Sequence, residues 1–219
     1  MFYNKKQLEA VKFVSKDETR QGLSGLLFEE NRVVATDGHR LMIVNKTPSP
    51  DTQECFPPDD IFSPDKNEPF VVSRKTVEKI TKNIPVKMRP NDCLEVIKIG
   101  HSVKDHKIAC QAYDLEETTT LETADGLKNA KFPNYKQVLP DYTDYIKIGI
   151  SAKYLKEVCM ALEKYNNNAM VTLNIIPPKI SENAEDNHEG KYQANYPIVI
   201  TADDGEGTTA EAVIMPMRL

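Results

Sequence analysis

The residues of this chain best suited to chemistry lie in residues 33–44, VVATDGHRLMIV. Asp37 and His39 are the material of a general base and its orienting group, which would activate a nucleophile. That chemistry also needs a nucleophile, and no GxSxG-type nucleophile context accompanies the pair. Asp-Gly between two alternating apolar runs has a simpler use. Glycine adopts positive φ without steric cost and aspartate tolerates it, so Asp37-Gly38 predicts a hairpin with a two-residue tip. Residues leaving such a turn are held rigidly, which suits His39, Arg40 and Leu41 to recognition rather than catalysis. A second cluster, His101, His106 and Cys110, has spacing that could serve a metal. Its lysine-rich setting, KIGHSVKDHKIAC, reads instead as a solvated hairpin, and no metal is expected. There is no P-loop, GxGxxG or HExxH, and nine glycines leave little material for a phosphate cradle. The expectation is a protein with no catalytic residue and no cofactor.

The third group is a set of lysines, and the elements that carry them can be read from periodicity. Residues 4–16, NKKQLEAVKFVSK, have Leu8, Val11 and Phe13 or Val14 at helical spacing, with Asn4 as N-cap. Residues 73–84, SRKTVEKITKNI, place Val77, Ile80 and Ile84 on one face, with Ser73 as cap and Pro85 as stop. Residues 151–165, SAKYLKEVCMALEKY, carry Leu155, Val158, Cys159 and Leu162 behind Ser151. Strand-like runs surround each helix. LSGLLFEE and NRVVATDGHRLMIVNK follow the first. EPFVVS precedes the second, and DCLEVIKIG, KIACQAY and TTTLETA follow it. DYIKIGIS precedes the third, and AMVTLNIIP, YPIVITADD and TAEAVIMPM follow it. The pattern is a weak internal repeat of strand, helix and three strands, about three modules in an α+β fold. Residues 47–69 hold six prolines and read as a long surface loop. Residues 179–196 are polar and read as a second loop, and 132–140, FPNYKQVLP, as an extended, packed linker.

Charge divides along the same lines. The three helical stretches together carry +7 in a chain of 219 residues whose net charge is −5, so the remainder stands at −12. Lys5, Lys12 and Lys16, then Lys75, Lys79 and Lys82, then Lys153, Lys156 and Lys164 would form the exposed faces of those helices. Lysine on an exposed helix is common as mere solvation. Concentrated against an acidic remainder, it suits loose, sequence-independent attraction to phosphates. No apolar run approaches the roughly 20 residues of a membrane span. The N-terminus lacks a signal peptide's apolar region, and the four cysteines form no CxxC pair. A cytoplasmic protein with reduced thiols and no membrane partner is expected.

Three segments in order, VVATDGHRLMIV, FPNYKQVLP and the C-terminal AVIMPMRL, resemble hallmark segments of the bacterial DNA polymerase III beta subunit, the sliding clamp family. The similarity extends through LSGLLFEENRVVATDGHRL and TTTLETADGLKNAKFPNYKQVLP. The resemblance implies a DNA-clamp fold of repeated strand–helix–three-strand modules. Residues 1–131 would match the middle clamp domain with two modules. Residues 132–140 would be the linker, and 141–219 a final domain shortened to one module. Helices would face duplex DNA inside a ring and sheets would form the outside. Gln137 stands where the family usually has arginine. The family's peptide pocket, carried over position by position, falls on Leu23, Thr36, Gly38, His39, Arg40, Leu41, Pro133, Val138, Val213, Ile214, Met215, Pro216, Met217 and Arg218.

The implied function is that of a processivity factor. It would tether DNA polymerase to duplex DNA, bind polymerase and other proteins through short clamp-binding peptides, be placed by a clamp loader, and work as a homo-oligomer. A ring of twelve modules built from three-module chains needs four copies. The alternative is a non-ring interaction module that captures or competes for clamp-binding peptides without encircling DNA.

Overall fold

In the computed structural model the described residues are 2–30, 32–45, 69–83, 96–102, 107–113, 118–124, 130–139, 148–166, 168–175, 197–206 and 208–217. The chain divides into two compact units, Met1–Leu139 and Pro140–Leu219. The fold is α+β, and every strand pairing among the described residues is antiparallel.

The first unit opens with strand β1 (Phe2–Asn4), helix α1 (Lys5–Leu8) and a 3-10 turn (Glu9–Phe13). Strands β2 (Gly25–Glu29), β3 (Arg32–Thr36) and β4 (Leu41–Asn45) follow. Then come β5 (Phe70–Ser73), helix α2 (Arg74–Asn83), β6 (Val96–Ser102), β7 (Lys107–Tyr113) and β8 (Thr118–Ala124). The order is the expected repeat, but the pairing exchanges strands between its halves. Strand β1 joins β6, with Tyr3 opposite Ile97, and β5 joins β2, with Leu26 opposite Val72. Two four-stranded sheets result, β4-β3-β2-β5 and β1-β6-β7-β8. Alternation aims Leu26, Phe28, Val33, Ala35 and Val72 of one sheet, and Ile97, Ile99, Ile108 and Cys110 of the other, into a single core. Both helices close that core, through Leu8, Ala10 and Val14 on one side and Val77 and Ile80 on the other. Tyr3 sits edge-on to Phe28, and Phe28 stacks on Phe70.

The second unit holds helix α3 (Ala152–Leu162), a 3-10 turn (Glu163–Tyr165), and strands β9 (Thr172–Asn174), β10 (Ile198–Asp203) and β11 (Thr209–Ile214) in the order β11-β10-β9. Its core gathers Leu162, Ile198, Ile200, Ala202 and Ile214. The Ser151 hydroxyl accepts from the Tyr154 amide at the start of α3, and Ser73 does the same for Thr76 at α2.

Several expectations need correction. The first helical stretch begins as strand, and Asn4, expected as an N-cap, is the last residue of β1. Pairing of residues 2–4 with Val96–Lys98 overrides local helical periodicity. The helix that follows tightens into a 3-10 turn after one α-helical turn. The linker is not wholly extended, because Tyr135–Val138 forms a 3-10 turn. Of DYIKIGIS, only Gly149 forms a bridge among the described residues, with Met217. The loops expected at 47–69 (except Pro69) and 179–196 lie outside the described residues. No helix of the described residues is long and apolar enough to cross a membrane.

Candidate functional site

The hairpin of β3 and β4 closes with Thr36 opposite Leu41, so its tip is four residues wide, not two. Gly38 takes φ +93°, as the Asp-Gly signal requires, whereas Asp37 keeps negative φ. What shapes the tip is the Asp37 carboxylate. Oδ1 accepts from the amides of His39 at 3.0 Å and Arg40 at 2.8 Å, and Oδ2 accepts from Arg40 Nε at 3.0 Å and Nη2 at 2.8 Å. Those hydrogen bonds to the charged form hold its pKa at about 2. Asp37 therefore engages the backbone of His39, not its imidazole, and no base–histidine couple exists. Arg40 is equally committed. Its guanidinium lies over the Phe13 ring at 4.8 Å and donates to the Lys12 carbonyl, tying the tip to the first 3-10 turn. His39 is left exposed beside it. Thr36 is buried, and its hydroxyl accepts from the Gly38 amide. Leu23 is half-buried, with its Cδ1 3.8 Å from where a Cβ on Gly38 would lie.

Pro133 and Val138 sit on a segment packed against the first unit. Tyr135 is buried with Leu27 and Val34, and Phe132, Leu139, Leu41, Ile43 and Val71 pack around them. These residues alternate with the core-facing ones along β2, β3, β4 and β5, so the segment covers the other side of that sheet. The Tyr135 hydroxyl donates to Glu29 Oε2 at 2.9 Å, and Arg32 Nε meets the same oxygen at 2.6 Å. Burial, and then the Glu29 carboxylate, raises the pKa of the Tyr135 phenol. At the other end of the segment the Lys131 carbonyl passes over Gly22, where a Cβ would stand 2.5 Å from it. Pro133 and Val138 remain exposed, Val138 at 70%. Sequence reasoning missed the residues that hold these positions, namely Phe13, Gly22, Glu29 and Tyr135. Only the aromatic inside a proline-bounded run hinted at one of them.

In the second unit, the remaining candidates lie on β11 and its continuation. Ile214 points into the core, while Val213 and Met215 are exposed, Met215 at 64%. Pro216 is half-buried, and Met217 is exposed with its amide donating to the Gly149 carbonyl at 2.8 Å. Val213, Met215 and Met217 are thus exposed apolar side chains with no cover from the described residues of their own unit. Arg218 lies outside the described residues.

The helix lysines answer to the charge map. Lys12, Lys16, Lys75, Lys79 and Lys82 of the first unit are exposed, as are Lys153, Lys156 and Lys164 of the second. Lys12 pairs with Glu9, and Lys75 with Glu18 at 2.8 Å. Exposed pairs of this kind are worth little, so the ammonium groups stay available to a polyanion. The side chain of Lys5 lies outside the described residues. Burial pushes the Cys110 thiol up to about 12, which marks it as a core residue rather than a ligand or nucleophile. The side chain of His101, and His106, lie outside the described residues. Among the described residues no group of three potential metal ligands comes together.

No protein-family model matches the sequence, and no curated protein does. Solved structures match its fold. A sliding clamp from Pseudomonas aeruginosa bound to griselimycin, described as DNA polymerase III subunit beta, superposes with a TM-score of 0.63 at 19% identity. That match covers 99% of this chain and 49% of the clamp. The beta subunit from Borrelia burgdorferi in complex with a natural product gives 0.60 at 15% identity, over 98% of this chain and 48% of that one. A beta subunit assigned in Eubacterium rectale gives 0.60 at 16%, over 99% and 50%. The chain therefore has the sliding-clamp fold and spans about half the length of the solved structures it matches.

Proposed function

We propose that this chain works as a sliding clamp. It is a non-catalytic processivity factor that works in the cytoplasm, encircles duplex DNA as a homo-oligomer, and holds a DNA polymerase near the primer end. The observation that supports this reading best is agreement with solved clamps over nearly the whole chain, combined with exposed lysines along the helices. Phosphate attraction without base contacts permits sliding, and an acidic remainder discourages binding elsewhere. Tethering raises the effective concentration of polymerase at its substrate and needs no covalent chemistry. On the first unit Leu23, Leu41, Pro133 and Val138 suit apolar anchors of a partner peptide and His39 its polar groups, and on the second unit the exposed Val213, Met215 and Met217 suit apolar anchors in their own right. Arg40 contributes mainly by holding the tip, because Asp37 and Phe13 already occupy it.

The test is retention on nicked circular DNA, with a clamp loader supplied for a ring that does not open by itself. Protein held on the circle and released by linearisation supports encirclement. Charge reversal at Lys12, Lys79 and Lys156 should lower DNA association several-fold and flatten its salt dependence. Equal binding by that variant would remove the argument from the lysines. The half-length span favours one other reading, a peptide-binding module that forms no ring. Tight peptide binding with no difference between circular and linear DNA would select it.

A further inference from the structure

The chain has six arginines, and four of them, Arg20, Arg32, Arg40 and Arg74, lie among the described residues. Each of the four meets a carboxylate three or four residues away. Arg20 Nε stands 3.6 Å from Asp17, Arg32 Nε 2.6 Å from Glu29, Arg40 Nη2 2.8 Å from Asp37 and Arg74 Nε 2.7 Å from Glu78. Three of these guanidiniums are held by more than one exposed contact. Arg40 is bidentate on Asp37 and covers Phe13, and Arg32 lies over the Tyr135 ring. The Arg74 side chain is only 33% exposed. The lysines differ. Lys12 and Lys75 pair with Glu9 and Glu18, and both side chains of each pair are more than half exposed.

Arg74 is the described arginine that sits on a basic helix. Helix α2 buries Thr76, Val77 and Ile80, so Arg74, Lys75, Glu78, Lys79 and Lys82 share its outer side. Glu78 is the one carboxylate of α2 and stands in the middle of that side, one turn from Arg74 and one from Lys82. Its Oε1 accepts from Arg74 Nε at 2.7 Å. A guanidinium is the stronger ligand for a phosphate, because its planar fork donates two parallel hydrogen bonds, whereas an ammonium is a hydrated point charge. The same fork reads guanine in the major groove. To make either contact Arg74 has to leave Glu78, and the carboxylate would then face the phosphates. One charge-assisted pair would be exchanged for another, with a repulsion added.

We infer that Glu78 withholds the Arg74 guanidinium from duplex DNA and leaves the hold of α2 on the phosphates to Lys75, Lys79 and Lys82. Contact through ammonium groups alone has no directional grip on a single phosphate and reads no base, which is the contact a sliding protein needs. The inference deepens the DNA-tethering reading and rests on it.

The test is a double-mutant cycle on the full chain, read by fluorescence anisotropy of a short labelled linear duplex between about 50 and 200 mM salt. Arg74→Gln alone should leave affinity and salt dependence at their wild-type values. Glu78→Gln frees the guanidinium. It should raise affinity several-fold and steepen the slope of log affinity against log salt by about 0.9, the signature of one further phosphate contact. Adding Arg74→Gln to Glu78→Gln should cancel that steepening. Glutamine is a good helix former, and far-ultraviolet circular dichroism verifies that α2 persists in each variant. The inference is overturned if Arg74→Gln weakens the wild type as much as it weakens Glu78→Gln, since Arg74 would then already hold a phosphate. It is also overturned if Glu78→Gln binds no more tightly than wild type. A gain in Glu78→Gln that survives the loss of Arg74 overturns it too, because Glu78 would then act only as a repelling charge. A linear duplex needs no encirclement, so a chain that is not retained on circular DNA still reports this cycle. Reversal of Lys12, Lys79 and Lys156 tests the lysine argument separately, and only the dependence of Arg74 on Glu78 decides this inference.

Discussion

Tyr135 offers the sharpest test of how the first unit holds its candidate binding residues. Its ring is buried against Leu27, Val34 and Phe132, and its hydroxyl donates to Glu29. Truncation to alanine removes a buried aromatic, which commonly costs about 3–5 kcal/mol. The cluster lies on the outer side of one sheet rather than in the main core, so partial collapse is easy and about 3 kcal/mol is expected. Tyr135→Phe keeps the packing and removes only a hydrogen bond to a charged group, worth about 1.5–3 kcal/mol. Glu29 keeps Arg32 at 2.6 Å, so the lower end, about 1.5 kcal/mol, applies. Urea unfolding followed by circular dichroism measures both losses. Native-state hydrogen exchange of the Leu27 and Val34 amides, opposite each other in β2 and β3, localises them. The reasoning fails if the alanine variant loses less than about 1 kcal/mol, since a buried aromatic cannot be that cheap to remove. It also fails if the phenylalanine variant loses as much as the alanine one, because the packing would then contribute nothing.

Three further predictions concern single positions. Gly22→Ala places a Cβ 2.5 Å from the Lys131 carbonyl oxygen, a backbone atom that cannot swing aside, and should cost about 1–3 kcal/mol in thermal unfolding; a melting temperature equal to wild type would refute the close approach. Asp37 titrates at about 2 in the folded chain, below the ordinary carboxylate value, so its contribution is full above about pH 4 and disappears as pH falls toward 2. The stability gap between wild type and Asp37→Asn should accordingly close between those limits, and a gap that stays constant would show the carboxylate is not specially held. With its pKa at about 12, buried Cys110 should resist iodoacetamide at pH 8 until the protein unfolds, whereas rapid labelling of native protein, read by mass spectrometry, would contradict its burial.

Much of the local structure can be read from residue order. Alternation in KIACQAY and TTTLETA marks β7 and β8 to the residue. Ser73 and Ser151 mark two helix starts, because a hydroxyl before an amphipathic run satisfies an amide that the helix cannot. The exposure of the helix lysines follows from the apolar face opposite them. The Asp-Gly pair marks a turn, and Gly38 does carry the positive φ.

Other decisions belong to tertiary contact alone. That β1 joins β6 and β5 joins β2 is invisible locally, because both strands alternate equally well whichever neighbour they take. The same pairing turned the expected start of a long helix into strand. The four-residue tip was set by the Asp37 carboxylate meeting Arg40 and by Phe13, distant in sequence, lying beneath the guanidinium. Nothing in FPNYKQVLP says which surface Tyr135 will occupy; the open side of a sheet with Leu27 and Val34 on it decides that. Periodicity reports which face of an element is apolar, and so the sequence determined the faces of α3 and β9. What covers each face depends on another element arriving there, and for Tyr154, Ala161 and Leu173 the chain's own second unit supplies none among the described residues.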